Sequence, residues 1–439
     1  MQRVLVLSKN REPLMPCHPA RARELLDKGR ARVFRQYPFT IILVDREDGD
    51  VQPITLKVDP GSRITGMALV ADFKRGKRLI WAAELTHRGQ QIKDALLSRR
   101  QHRRGRRHRK TRYRPARFNN RRGRDGKLPP SLQSRVDNIF TWANRLYRWS
   151  PVSAISMELV RFDTQLMENP EINGIEYQQG ELQGYEVREY LLEKWGRKCA
   201  YCGAEHLPLQ IEHIIPRSRG GSNRVSNLTL ACASCNLDKG NRTAEEYGFP
   251  EIHQYAKRPL KDAAAVNATR WAIYRGFEQD GLPLEVGTGG RTKFNRMQQD
   301  YPKAHWIDAA CVGASGRDVF IHPQTQPLRI RATGRGSRQM CRVDKYGFPR
   351  TSAKRGRIQY GFQTGDMVRA VVTNGKKMGT YIGRVAVRSS GSFNITTDAG
   401  VVQGIGYRYC TPLHKLDGYA YEKGEKALLP IAEARGFRA

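Results

Sequence analysis

Between residues 99 and 124 this 439-residue chain places 14 Lys and Arg and no Asp or Glu. A segment so charged cannot enter an apolar core, so it divides the chain: folded units must form on either side and hold it against a polyanion. Arg99, Arg100, Arg103, Arg104, Arg106, Arg107, Arg109, Lys110, Arg112 and Arg114 are therefore candidate phosphate ligands. The run begins with helix formers, has no apolar stripe after Leu97, and meets Pro115, which should end a helix. Alone it is expected to fold poorly; against phosphates it becomes an ordered helix. The competing reading is a solvated linker. The chain as a whole carries 77 Lys and Arg against 42 Asp and Glu, a net charge of +35, which points to nucleic acid as the partner. No window approaches the roughly 18 to 20 apolar residues that span a bilayer, and MQRVLVLSKN is too short in apolar length for a signal peptide. A soluble, multidomain protein of a reducing cytoplasm is expected, with no membrane partner.

Along the chain, residues 1–52 read as a small unit with a strand, a proline-rich turn and a helix entered at Pro19 and left at Gly29. Three β-like runs follow, ITLKVD, ITGMALVAD and RLIWAAEL, an antiparallel meander. Beyond the basic run come a helix-like stretch to Trp149, the strand AISMEL and a loop-like segment from Arg161 to Gly180. After a cysteine-rich module there is more helix, a glycine-rich stretch from Glu285 to Asn295 read as a hinge, and the helix-like KAHWIDAACVG. From about Gln324 the composition turns to Gly, Arg and β-branched residues, with turns such as Asn374-Gly375, suggesting a small β-barrel-like domain. Cys17, Cys311, Cys341 and Cys410 lack metal-ligand spacing; Tyr201, Trp142 and Trp149 read as core, and His102 and His108 as part of the phosphate face.

Cys199 with Cys202 and Cys232 with Cys235 form two C-x-x-C pairs with 29 residues between them, a spacing that closes a four-thiolate Zn²⁺ site around an inserted loop. Inside that loop stands Glu212-His213, followed by Asn227 and Asn236. An imidazole beside a carboxylate, with two asparagines in the same zinc-held unit, resembles the HNH nuclease motif. The resemblance implies a ββα-metal fold in which His213 activates water, Glu212 and Asn236 bind catalytic Mg²⁺, and Asn227 orients the histidine. Family members often have Asp where Glu212 stands. A neutral imidazole near pH 7 can accept the water proton, while oxygen-held Mg²⁺ stabilises charge on the phosphate.

Three further acidic positions fall on separate elements: Asp59 at the end of LKVD, Glu158 in ISMEL, and Asp308, which shares a helix face with His305 at i, i+3. In this order they resemble the split RuvC-like nuclease of the ribonuclease H fold, which implies Asp59, Glu158 and Asp308 as ligands of two Mg²⁺ ions and His305 as a ligand or water activator. The sequence of parts, together with Pro13-Leu14-Met15-Pro16, is similar to the IscB family of transposon-encoded RNA-guided nucleases related to the CRISPR type II effector. The resemblance implies an α/β multidomain chain: a PLMP domain at 1–52, RuvC-like segments at 53–90, 125–180 with a linker, and 251–324 with a linker, an arginine-rich bridge helix at 91–124, an HNH domain at 181–250, and a β-rich C-terminal domain at 325–439. It also implies one omega guide RNA per protein and a double-stranded target DNA bearing a flanking motif read by the C-terminal domain, whose residues 329–357 hold ten Lys and Arg and one Asp. HNH would cut the guide-paired strand and the RuvC-like site the displaced one. The implied setting is a prokaryotic cytoplasm, at the nucleoid when bound to DNA. Two alternatives remain open: a guide-independent HNH nicking endonuclease, and a non-catalytic RNA-binding protein.

Overall fold

The computed structural model describes residues 2–108, 128–159, 185–205, 207–258, 263–335, 341, 343–346, 348–352 and 356–426. Residues 161–180 of the expected linker, together with Arg109, Lys110, Arg112 and Arg114, lie outside them.

The N-terminal unit is a four-stranded sheet in the order β2-β1-β4-β3, built from β1 (Val4–Leu7), β2 (Pro13–Cys17), β3 (Ala31–Arg35) and β4 (Thr40–Leu43). Helix α1 (Pro19–Asp27) crosses between β2 and β3. His18 Nδ1 accepts the Ala20 amide at its start, and Pro19, whose missing N–H costs nothing there, opens its first turn. Gly29 follows at φ +69°, a conformation that suits glycine after a helix.

The central sheet starts as the expected meander: β5 (Ile54–Asp59), β6 (Ile64–Phe73) and β7 (Gly76–Thr86), each antiparallel to the next. Helix α2 (Gly89–His108) carries the first part of the basic run, and α3 (Pro130–Trp149) returns the chain to β8 (Val152–Glu158), which lies parallel to β5. The apolar sides of α3 and the sheet join in one core, where Ile139, Trp142 and Leu146 meet Leu56, Val58, Met67, Trp81 and Met157. Trp142 and Trp149 are buried, as expected.

The cysteine-rich module comprises α4 (Tyr185–Lys194), the hairpin-like pair β9 (Leu209–His213) and β10 (Leu228–Cys232), α5 (Ala233–Lys239) and α6 (Pro250–Lys257). It has its own apolar cluster, including Leu191, Leu209, Leu230 and Ile252. The chain then rejoins the central unit through α7 (Ala263–Gln279), whose Ile273 and Phe277 enter the same core as α3.

The glycine-rich stretch read as a hinge is instead built into the core. Leu284–Gly287 forms β11, parallel to β8, and Gly289–Gln298 forms α8 with Thr292 and Asn295 buried. Its glycines serve close approach: a Cβ on Gly287 would stand 2.5 Å from the Gly313 amide nitrogen. Asn295 Nδ2 donates to the carbonyls of Cys311 and Gly313. Helix α9 (His305–Ala310) covers the sheet face opposite α3, with Trp306 and Ala310 packed among Ala68, Val70 and Ala82.

The sequence boundary at residue 325 also moves. After β12 (Val319–Phe320), β13 (Leu328–Ala332) pairs parallel with β7. Short strands β14 (Ile358–Gln359) and β15 (Phe362–Gln363) precede a five-stranded antiparallel sheet in the order β19-β18-β17-β16-β20. It consists of β16 (Met367–Val372), β17 (Gly379–Ala386), β18 (Ser392–Thr397), β19 (Gly400–Gly406) and β20 (Cys410–His414) around Val368, Ala370, Val385, Phe393 and Ile395. The chain then returns as β21 (Tyr419–Lys423) to pair with β13, giving the central order β11-β8-β5-β6-β7-β13-β21. The edge of β7 would otherwise offer unpaired backbone groups; β12 and β13 pair with it, and β21 covers β13 in turn.

Candidate active sites

Two regions gather the chemistry-bearing residues. In the cysteine module, Cys199 and Cys202 lie in the turn after α4, Cys232 ends β10, and Cys235 lies in the first turn of α5. One sulfur from each lies within 4.8 Å of the others, and the Cys202–Cys232 separation is 3.8 Å. Tetrahedral bonds of about 2.3 Å set the sulfurs about 3.8 Å apart, so this cluster fits zinc. The Ser234 hydroxyl lowers the Cys232 thiol to about 6, whereas burial and the neighbouring thiols push Cys235 up to about 12. Among the described residues the cluster is the sole group of three or more His, Cys, Asp or Glu at such spacing.

Beside it, β9 and β10 pair with Leu228 opposite His213 and Cys232 opposite Leu209, and α5 follows directly, giving a ββα arrangement. Glu212 is buried. Its carboxylate accepts from the Tyr201 hydroxyl at 2.7 Å and from Lys239 Nζ at 2.6 Å, and Lys239 also donates to the His213 carbonyl at 3.0 Å. Burial and the Glu212 charge raise the Tyr201 hydroxyl well above the usual phenol range, keeping it a donor. Tyr201 is core, as expected, and also a carboxylate partner. Replacing it by Phe should leave one Glu212 oxygen unpaired and cost about 1.5–3 kcal/mol, measured as a lower denaturant midpoint for this module.

The His213 ring meets Asn223, with Nε2 2.9 Å from Asn223 Oδ1. Asn227 does not reach the ring: its Oδ1 accepts the Ile215 amide and its Nδ2 donates to the carbonyls of Ile215 and Ser222. It therefore fixes the loop following His213, and Asn223 holds the imidazole. Gly221 permits this closure, since a Cβ there would sit 1.7 Å from the Ile215 carbonyl oxygen. Asn236 is half-buried and donates to Gln210 Oε1 at 2.7 Å, two residues before Glu212 on β9. The side chains of Glu212 and Asn236 thus face the same side of β9 but have different partners. Sequence reasoning missed Lys239 and Asn223; an amine one α-helical turn beyond Cys235 was the available signal for Lys239.

In the second region, the ladder sets Val58 opposite Met157, so Asp59 and Glu158 end adjacent parallel strands. The two-residue period puts Lys57, Asp59, Ser156 and Glu158 on the face that α9 covers. Lys57 Nζ reaches the Val312 carbonyl at 2.7 Å just beyond α9. Opposite Asp59 stands Gly66, where a Cβ would lie 1.9 Å from the His305 carbonyl oxygen, so the absence of a side chain lets the start of α9 rest on the sheet. His305 and Asp308 are thereby brought to the end of the sheet that carries Asp59 and Glu158.

Each of two acids there has a guanidinium partner. Glu158 Oε1 accepts from Arg270 Nη2 at 3.0 Å, and Arg270 Nε donates to the Pro60 carbonyl. Asp308 Oδ1 lies 2.8 Å from Arg296 Nε. Burial raises the Asp308 carboxyl; Arg296 opposes this and the Glu158 charge reinforces it. Gly289 packs 3.2 Å, at its would-be Cβ, from Glu158 Oε1. Neither Arg270 nor Arg296 was found from sequence, because nothing in its local pattern distinguishes an inward arginine from the many outward ones.

On α2, Arg99, Arg100, Arg103, Arg104 and Arg107 are exposed, and among the described residues none forms an ion pair with a carboxylate. The helix extends about 30 Å at 1.5 Å per residue. Of Arg106, the backbone alone is described.

Residues 4–180 match the RRXRR protein family, and residues 199–242 match the HNH endonuclease family. The chain therefore carries an HNH endonuclease domain and an RRXRR region. The combination is consistent with an IscB-like nuclease, the family the sequence resembled. No curated protein matches significantly. Streptococcus thermophilus Cas9, solved in complex with the GGAA PAM, aligns at 11% identity over 59% of this chain and 32% of that one, with a TM-score of 0.22. The Type II-C Cas9 enzyme from Actinomyces naeslundii aligns at 17% over 48% and 27%, with a TM-score of 0.15. The chain thus spans about a third or less of the solved proteins it matches. No helix among the described residues is long and apolar enough to cross a membrane.

Proposed function

We propose that this protein is an RNA-guided DNA endonuclease in which the HNH site cuts the guide-paired strand and a ribonuclease H-like site cuts the displaced strand. What supports this reading is that Asp59 and Glu158 end adjacent parallel strands and that the start of α9, which carries His305 and Asp308, rests on Gly66 opposite Asp59, although these segments are separated in the chain by the arginine-rich helix and the HNH module. The strand order supports it: within β7-β6-β5-β8-β11 an antiparallel meander is continued by two parallel strands, the mixed sheet that a RuvC-like core requires. Mg²⁺ held by Asp59, Glu158 and Asp308, and by Glu212 and Asn236, would neutralise charge on the scissile phosphates.

The side chains of the protein divide the remaining work. Asn223 Oδ1, accepting from His213 Nε2–H, leaves Nδ1 as the nitrogen able to take a water proton. Asn227 keeps the loop after His213 in place. The exposed guanidinium groups of α2 hold RNA or heteroduplex phosphates, while base pairing supplies sequence specificity. The C-terminal sheet reads the flanking motif. RNA fills the scaffold role that a large recognition lobe would otherwise supply.

The test is cleavage of a matched duplex, each strand labelled, by the purified RNA complex with Mg²⁺. His213→Ala should slow cutting of the paired strand at least about 100-fold and spare the displaced strand; Asp59→Ala should do the reverse. The Glu158–Arg270 and Asp308–Arg296 pairs favour a second reading, a guide-independent HNH enzyme with a structural sheet domain. Cleavage that ignores the guide, with all cutting lost in His213→Ala, would establish that reading instead.

A further inference from the structure

At the end of the central sheet opposite the carboxylates, Arg3, Gln52, Phe73, Lys74, Arg75 and Arg78 line a cleft of about 300 Å³. It joins the residue before β1 to the turn between β6 and β7. Four of the six lining side chains are cationic, and among the described residues none of them pairs with a carboxylate. Asp72, the acid nearest in sequence, stands opposite Lys77 in the ladder and does not line the cleft.

The cations are held there by construction. The Arg3 guanidinium lies 5.2 Å from the Phe73 ring centre and donates to the Pro16 carbonyl. Arg78 lies 5.0 Å from the ring centre of Phe320 on β12. Burial, then the like charge of Arg78, lowers the Arg3 guanidinium. Like charges gathered in a concave, half-buried place without a counter-ion repel one another, and an anion seated between them reverses the sign of that interaction.

We propose that this cleft binds the phosphodiester backbone of an RNA strand, with Arg3, Arg75 and Arg78 on phosphate and Phe73 available to a base face. This rests on the guided-nuclease reading. RNA is favoured over the DNA being cut by distance: Asp59 is opposite Gly66, and the cleft lies seven residues further along β6, about 23 Å away at 3.3 Å per residue. A strand held here is not at the scissile position. The cleft is also distinct from α2, which leaves the sheet from the opposite end of β7.

The full chain should be titrated with a fluorescein-labelled single-stranded oligoribonucleotide, and with its deoxy counterpart, over a range of salt. The Arg3→Gln, Arg75→Gln, Arg78→Gln variant is expected to bind the RNA about 10-fold more weakly, with the slope of log K against log salt reduced by about 1 to 2. Because Arg3 also ties β1 to β2, Lys74→Gln with Arg75→Gln, both exposed on the turn, provides a second variant and should reduce the slope by about 1. RNA containing 4-thiouridine should crosslink to the peptide holding Phe73. An unchanged slope together with no crosslink at that peptide overturns the cleft assignment while leaving guided cleavage intact. Crosslinking by the deoxy strand alone overturns the choice of RNA. If the wild-type chain binds no RNA, the guided reading and this proposal fall together.

Discussion

Removal of metal from Cys199, Cys202, Cys232 and Cys235 is expected to unfold residues 199–242 while leaving the central sheet folded. The cysteines join the start of the module to the junction of β10 and α5, the junction that places Lys239 against Glu212. Structural zinc contributes on the order of 10 kcal/mol in small modules, and this one has a modest apolar cluster of its own around Leu191, Leu209 and Leu230. Four uncompensated thiols, with Cys235 resisting ionisation, hold these elements far less strongly than four metal bonds. Hydrogen exchange followed by mass spectrometry, before and after chelation, should show lost protection across β9, β10 and α5 and unchanged protection across β5, β6 and β7. Cys232→Ser should reproduce the pattern. Retained protection throughout would mean that the apolar cluster alone sustains the module.

Replacement of Asp417 by Asn should cost about 3 kcal/mol, because it leaves the buried Arg145 and the half-buried Arg35 without their counter-charge. Asp417 Oδ2 lies 2.7 Å from Arg35 Nη2 on β3 and 3.0 Å from Arg145 Nη1 on α3. The Tyr421 hydroxyl on β21 donates to the same carboxylate, and the Tyr419 amide reaches Oδ1. Around it Tyr37 stacks on Tyr421 at 5.0 Å, and Arg35 lies over Trp149. One carboxylate thus ties the N-terminal unit, α3 and the returning C-terminal strand together. Burial alone would raise its pKa, but His414, Tyr421 and Arg145 outweigh this and lower it to about 2. A depressed folded value means that its stabilisation is present in full above the unfolded value of about 3.9 and disappears as pH falls through about 2. Wild type should lose stability in that window, and Asp417→Asn should lose less there. Urea midpoints between pH 2 and 7 provide the measurement; an unchanged midpoint at neutral pH would show that the cluster is dispensable.

Much of the candidate chemistry was legible because it depends on local spacing. Paired cysteines, Glu212-His213 and the strand-ending Asp59 and Glu158 all announce themselves within a few residues. The meander β5-β6-β7 was equally legible, since alternating apolar runs around Gly-rich and Lys/Arg/Gly turns have few other solutions. Glycines 287 and 289 were misread as a hinge because sequence cannot distinguish a glycine chosen for freedom from one chosen for close approach to Gly313 or Glu158. Likewise, nothing local in LRIRA or YAYEK indicates that they extend the central sheet rather than the C-terminal one.

The chain's order of residues by itself determined the zinc-type ligand spacing, the concentration of basic residues between 99 and 124 and the faces on which the acids stand, because spacing and the strand period are local properties of the chain. The tertiary structure alone decided which cations meet which acids. Lys239 on Glu212, Arg270 on Glu158, Arg296 on Asp308 and Arg145 on Asp417 are separated by between 12 and 272 positions in the chain. Coulombic attraction acts through space and strengthens as packing excludes water, so among 77 Lys and Arg the fold selects these partners.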